Sequence, residues 1–176
     1  MGVALTATEW DAAFRNFERS AFRLELQPRY YEADEEPEVQ AFLSGEPVPP
    51  ESPEWQEWFD LVRSHVAAGR QIERVRVHED PPTPYQRWER WAGRWNVAAG
   101  EDIRYITRER AHEVGLLPAA GTEDWWLFDS TRLVVMRFSS DGRRVDEELI
   151  TDPQRVQQAC VWRRLAIQHS VPDSMG

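Results

Sequence analysis

The chain has 176 residues, a formal net charge of −10, an apolar fraction of 41% and a charged fraction of 30%. That length holds one domain with a proper core, and the composition is that of a soluble globular protein. The acidic balance argues against direct DNA binding, which needs a basic field to neutralise phosphates, and favours a basic partner.

All 21 basic side chains are arginine, so every cation can make planar, bidentate contacts. The one cysteine, Cys160, rules out an intrachain disulfide and points to a reducing compartment. No apolar run reaches membrane-spanning length, and no basic segment followed by an apolar stretch opens the chain. The expectation is a cytoplasmic protein with no membrane association.

In chain order, Thr8 is placed to cap a helix whose apolar face is Trp10, Ala13, Phe14, Phe17 and Ala21. Phe22, Leu24 and Leu26 then alternate with Arg23 and Glu25, the pattern of a half-buried strand ended by Pro28. Pro37 starts a short helix with Val39, Phe42 and Leu43 on one face, and Gly45 stops it. A proline-rich connector follows. Ser52 caps the next helix, with Trp55, Trp58, Phe59, Val62 and Val66 as its apolar stripe.

The centre of the chain reads strand, turn, tryptophan-rich helix, glycine stop, strand. In the first strand, 71–78, Val75 and Val77 share one face while Arg74, Arg76 and His78 share the other. Thr83-Pro84-Tyr85-Gln86 fits a capping box with proline at the first helical position. Tyr85, Trp88, Trp91, Ala92, Trp95 and Ala99 form one helix face, and Gly100 is a left-handed stop. The second strand covers 102–108. Three further strands follow over 125–150, with Asp141-Gly142 as a hairpin signal. Asp152-Pro153 opens a last helix.

These elements predict one α+β domain, 1–176: a mixed, mostly antiparallel sheet of about five or six strands with helices packed over it. Its parts are a helical segment 8–69, a strand–helix–strand core 70–108, a three-stranded meander 125–150 and a C-terminal helix 152–170.

The candidate ligand-binding residues are Arg74, Arg76, Tyr85, Glu101, Asp102 and Arg104. If Arg104 lies beside the Arg74–Arg76–His78 face, arginine forks converge on a carboxylate or phosphate. The plainer arrangement is a surface ion-pair ladder with Glu73, Glu101 or Asp102. Trp88, Trp91 and Trp95 make either an aromatic platform or ordinary core. Glu101 and Asp102 are either a cation or general-base site or a solvated acidic turn. No zinc-ligand spacing, phosphate loop, dinucleotide fingerprint or nucleophile elbow is present, so no metal, cofactor or catalytic residue is assigned.

Ser20-Ala-Phe-Arg-Leu-Glu, Gly45-Glu-Pro-Val-Pro-Pro, Gly100-Glu-Asp-Ile-Arg104, Trp126-Leu-Phe-Asp129, Glu148-Leu-Ile-Thr-Asp-Pro153 and Ala166-Ile-Gln-His-Ser-Val-Pro172 resemble an uncharacterised actinobacterial domain family. Its members are often encoded near helix-turn-helix regulators and their small partner proteins. The resemblance implies an accessory role in a regulatory or toxin–antitoxin-like system, with such a regulator or small protein as partner. It supplies no catalytic residues.

Three readings follow. The first is a non-catalytic intracellular module that binds a protein or a small anionic ligand in a transcription-regulator or toxin–antitoxin-like system. The second is an enzyme on a nucleotide or nucleic acid, with arginines on phosphate and Glu101 and Asp102 holding a metal or acting as base. The third is a homodimer built on exposed tryptophans.

Overall fold

A computed structural model describes residues 2–173. Eight strands form one sheet: β1 (Val3–Ala4), β2 (Ser20–Glu25), β3 (Gln71–His78), β4 (Asp102–Thr107), β5 (Asp124–Phe128), β6 (Arg132–Phe138), β7 (Arg144–Ile150) and β8 (Val171–Pro172). Six helices accompany them: α1 (Ala7–Asn16), α2 (Glu36–Leu43), α3 (Pro53–Ala67), α4 (Pro84–Ala99), α5 (Arg108–Glu113) and α6 (Pro153–His169). The strand order is β1-β7-β6-β5-β2-β3-β4-β8, and among the described residues only the β2–β3 and β3–β4 pairs are parallel. The fold is α+β with a mostly antiparallel sheet. The strands beyond the expected five or six are the two-residue edges β1 and β8.

Parallel neighbours require long crossovers, and here α2 with α3, and then α4, supply them. Helices therefore cover both faces of the central strands. On one face Phe22, Leu24, Val75, Val77 and Ile106 pack with Ala111 of α5 and Val156, Ala159 and Ala166 of α6. On the other face Ala13 and Phe14 of α1 and Phe59 and Val62 of α3 pack on Ala21, Ile72, Trp126 and Phe128. Tyr30, Val39, Tyr85, Trp88 and Ala92 form a third cluster where α2 meets α4.

Local signals account for most helix starts. Thr83 caps α4 in a reciprocal box with Gln86, and Ser52 and Asp152 cap α3 and α6 with proline at the first turn. The cap of α1 is Thr6 rather than Thr8, because Glu9 lies three residues on and its carboxylate accepts from the Thr6 N–H. Helix α1 stops at Asn16, so Ala21 belongs to β2. Strand β2 is buried on both faces rather than half-buried, since β3 and β5 flank it and helices lie above and below.

Candidate site: a buried ion network beneath an aromatic groove

Arg23 and Glu25 leave β2 on the α3–α4 side of the sheet, opposite to Phe22 and Leu24. The register sets Arg23 beside Arg74 and Glu25 beside Arg76 across the β2–β3 pair, and Arg23 beside Trp126 across the β2–β5 pair. Like charges directly opposite each other destabilise a sheet unless acids intervene. Here Glu25 bridges the two β3 arginines, accepting from Arg74 Nη1 at 2.9 Å and from Arg76 Nε at 2.8 Å. Arg74 Nε also donates to Glu101 at 2.8 Å, and Arg23 Nη2 to Asp124 at 3.0 Å.

Each acid is fixed by its own element. Gly100 adopts a left-handed φ of 117°, which ends α4 and turns the chain so that Glu101 points back under the helix. There Glu101 accepts from Trp58 Nε1 of α3 at 2.6 Å and from Asn96 Nδ2 of α4 at 3.3 Å. Asp124, fully buried at the start of β5, accepts from the Tyr30 hydroxyl at 2.6 Å and from the Leu26 N–H at 2.8 Å. Glu89 of α4 stands 3.1 Å from His78 Nε2 and 3.4 Å from Arg76 Nε. Gly93 lets α4 approach this closely: a Cβ there would lie 2.9 Å from Arg76 Nη1.

Burial and pairing pull these carboxyls in opposite directions. Burial would raise Glu25, but Arg76, Arg23 and Arg74 outweigh it and hold the carboxyl well below the usual carboxylate range. At Glu89 and Asp124 burial wins over the nearby arginines, and both are pushed up. Tyr30 and Tyr85 are raised by burial, then by Asp124 and Glu35 respectively. Three arginines (Arg23, Arg74, Arg76) thus face four carboxyls (Glu25, Glu89, Glu101, Asp124), and His78 stands beside Glu89. The network has no surplus of cation.

Two open cavities, of about 480 and 630 Å³, lie above this layer. Trp10, Arg23, Glu54, Trp58 and Arg74 line both, so the two form one groove floored at its middle by the arginines. Arg74 and Arg23 sit 5.3 and 5.8 Å from the Trp126 ring centroid, and Arg74 also lies 5.3 Å from that of Trp58. One end of the groove holds Tyr30, Trp55, Tyr85 and Trp88, and the other Phe14 and Leu61.

The six residues singled out from the sequence divide between the two sides. Arg74, Arg76, Tyr85 and Glu101 share the α3–α4 side, and Arg74, Arg76 and Tyr85 line the groove. Arg104 does not join them. In the β3–β4 register it pairs with Val75, not Arg74, so it leaves by the opposite face and donates to Ser170 Oγ at 3.0 Å. Asp102 stays exposed, 4.0 Å from Arg104. Consecutive strand residues point apart, so Glu101 and Asp102 do not form a joint site. The arginines are not a surface ladder either: Arg76 is buried, and Arg74 is largely enclosed at the floor of the groove between α3 and α4. Sequence reasoning missed Arg23, Glu25, Glu89 and Asp124. The available signal was the parallel β2–β3–β4 crossover pattern, which buries both faces of the middle strands.

Among the described residues no group of three or more His, Cys, Asp or Glu is arranged to hold a metal ion. No helix among them is long and apolar enough to cross a membrane.

The family model described as "Domain of unknown function (DUF6879)" matches residues 8–174. The chain belongs to this family. No curated protein matches the chain in sequence. Among solved structures, NucT from Helicobacter pylori is similar with a TM-score of 0.53 at 8% identity, over 98% of this chain and 97% of that one. Nuc from Salmonella typhimurium, a phospholipase D family member, is similar with a TM-score of 0.51 at 9% identity, over 92% of this chain and 86% of that one. At such identities the likeness is one of fold.

Proposed function

We propose that this member of the family is a non-catalytic binding module, an accessory in a transcription-regulator or toxin–antitoxin-like system, and that the aromatic groove is where it takes a protein segment. The observation that carries this reading is the ion network. Arg74 and Arg76, the groups best suited to a small anion, are already engaged by Glu25, Glu89 and Glu101. An anionic ligand would have to displace a buried carboxylate, leaving it unpaired at a cost of several kcal/mol. The arginines therefore serve as a rigid floor, and the tryptophans above them supply the contact area that anchors interfaces.

The second reading, an enzyme on a nucleotide or nucleic acid, draws support from the fold shared with a phospholipase D family member. The pairing of Arg74 and Arg76 with carboxylates weighs against it, because phosphoryl transfer is stabilised by cationic groups free to face the phosphate.

The two readings separate in one set of measurements. Peptides of differing charge are titrated against the chain while its tryptophan emission is followed. Turnover of bis(4-nitrophenyl) phosphate is measured with magnesium and with manganese. The binding reading predicts an emission change with at least one peptide, its loss in Trp10→Ala, and turnover at background. Silence from every peptide, with turnover abolished by Arg74→Gln, would establish the enzyme instead.

A further inference from the structure

Resting on the groove as the binding site, we infer that its occupant is an extended basic segment of a partner protein, with arginine or lysine side chains laid along the groove's rim and against its tryptophans. The chain has ten more acids than bases. Among the described residues, Asp11, Glu32, Asp34, Glu35, Glu54 and Glu57 line the two cavities and make no ion pair within 4.0 Å. Among the same residues Arg15 is a lining cation with no ion pair, and Arg144 is held by Glu147. The rim is thus strongly acidic above a floor whose charges cancel. Such a field raises the encounter rate with a basic partner and disfavours an acidic one.

The walls suit the same chemistry. Guanidinium and ammonium groups bind aromatic faces, best of all tryptophan, and Trp10, Trp55 and Trp58 line the groove. The chain already makes one such contact there, with the Arg144 guanidinium 4.7 Å from the Trp10 ring centroid. Two joined cavities on either side of Arg23 and Arg74 call for an occupant longer than a single side chain. Glu35, at the lip of the smaller cavity, fits as well. Burial, then Glu32, Glu89 and Glu38, raise its carboxyl to about 7, with Arg23 opposing. A cation seated beside it drives the proton off, so binding near neutral pH releases protons.

The test uses the full chain and three synthetic peptides of about nine residues, long enough when extended to span such a groove. They alternate arginine, glutamate or serine with glycine. Isothermal titration and tryptophan emission read binding. Only the arginine peptide is expected to bind, and roughly tenfold more weakly when salt rises from about 50 to about 300 mM. Glu54→Lys with Glu57→Lys, both exposed and outside any ion pair, should weaken it by at least about tenfold and leave the chain cooperatively folded, with at most a small drop in thermal midpoint from the first turn of α3. Binding of the glutamate or serine peptide, lost in Trp10→Ala, would overturn the basic occupant and leave the groove as the site. Arginine-peptide binding indifferent to the double variant would overturn the rim's role and with it this inference. Failure of all three peptides to bind would remove the groove reading too.

Discussion

The two faces of the central strands are built on different principles. Under α5 and α6, Leu24, Val75 and Ile106 make an apolar core held by dispersion and buried area. Under α3 and α4 the same strands present Arg23, Glu25, Arg74 and Arg76, almost as deeply buried. An apolar face tolerates volume-conserving exchange, whereas a buried ion network fails when one member is removed. A face holding charges against each other at such cost keeps them in fixed positions, and that fixity suits the floor of the proposed binding groove.

Substitutions at the two faces sharpen the contrast. Glu25→Ala leaves Arg76 and Arg74 short of their shared partner, and should cost about 3–5 kcal/mol in urea unfolding. An equally large loss is not expected from Leu24→Met on the apolar face, which should stay under about 1.5 kcal/mol. If the two are equal, the network is not cooperative. Gly93→Val drives side-chain atoms into Arg76 and should cost about 1–3 kcal/mol, checked by the same unfolding curves.

The pH dependence has a sign that follows from the network. Glu25 lies below its ordinary value of 4.5 in the folded chain. Its contribution is complete above that value and is lost as pH falls from 4.5 through the folded value. Glu89 and Asp124 are raised, so stability rises as pH falls through their folded values and levels off at their ordinary values of 4.5 and 3.8, a gain that comes mostly above the window of the Glu25 loss. Glu25→Gln should therefore flatten the acid limb of stability against pH below 4.5, as followed by thermal unfolding. The smallest effect is expected at the rim. Glu57→Gln should change stability by less than about 0.5 kcal/mol while weakening the arginine peptide.

The sequence makes the elements legible and leaves their faces ambiguous. Capping boxes and proline–glycine punctuation locate α3, α4 and α6, and alternation locates β3 with its arginine face correctly oriented. Alternation in β2 is equally clear but misleading, because Arg23 and Glu25 read as solvent-facing. Only pairing with β3 and β5 brings them under α3 and α4. Arg104 fails for a related reason. Which residue stands beside Arg74 depends on register, and a shift of one residue reverses the face. Asp124 gives no local sign at all, since its partners Tyr30 and Arg23 lie about a hundred residues away in sequence.

We hold that the arginine floor is internally neutralised and that the acidic groove above it takes cations. A nitrogen–proton correlation spectrum recorded during titration tests both halves together, through the arginine Nε and tryptophan indole signals. The arginine peptide is predicted to shift the indole signal of Trp58, whose N–H is held by Glu101, while inorganic phosphate leaves the Nε signals of Arg74 and Arg76 in place. Phosphate moving those arginine signals, with the peptide leaving Trp58 still, would contradict the account.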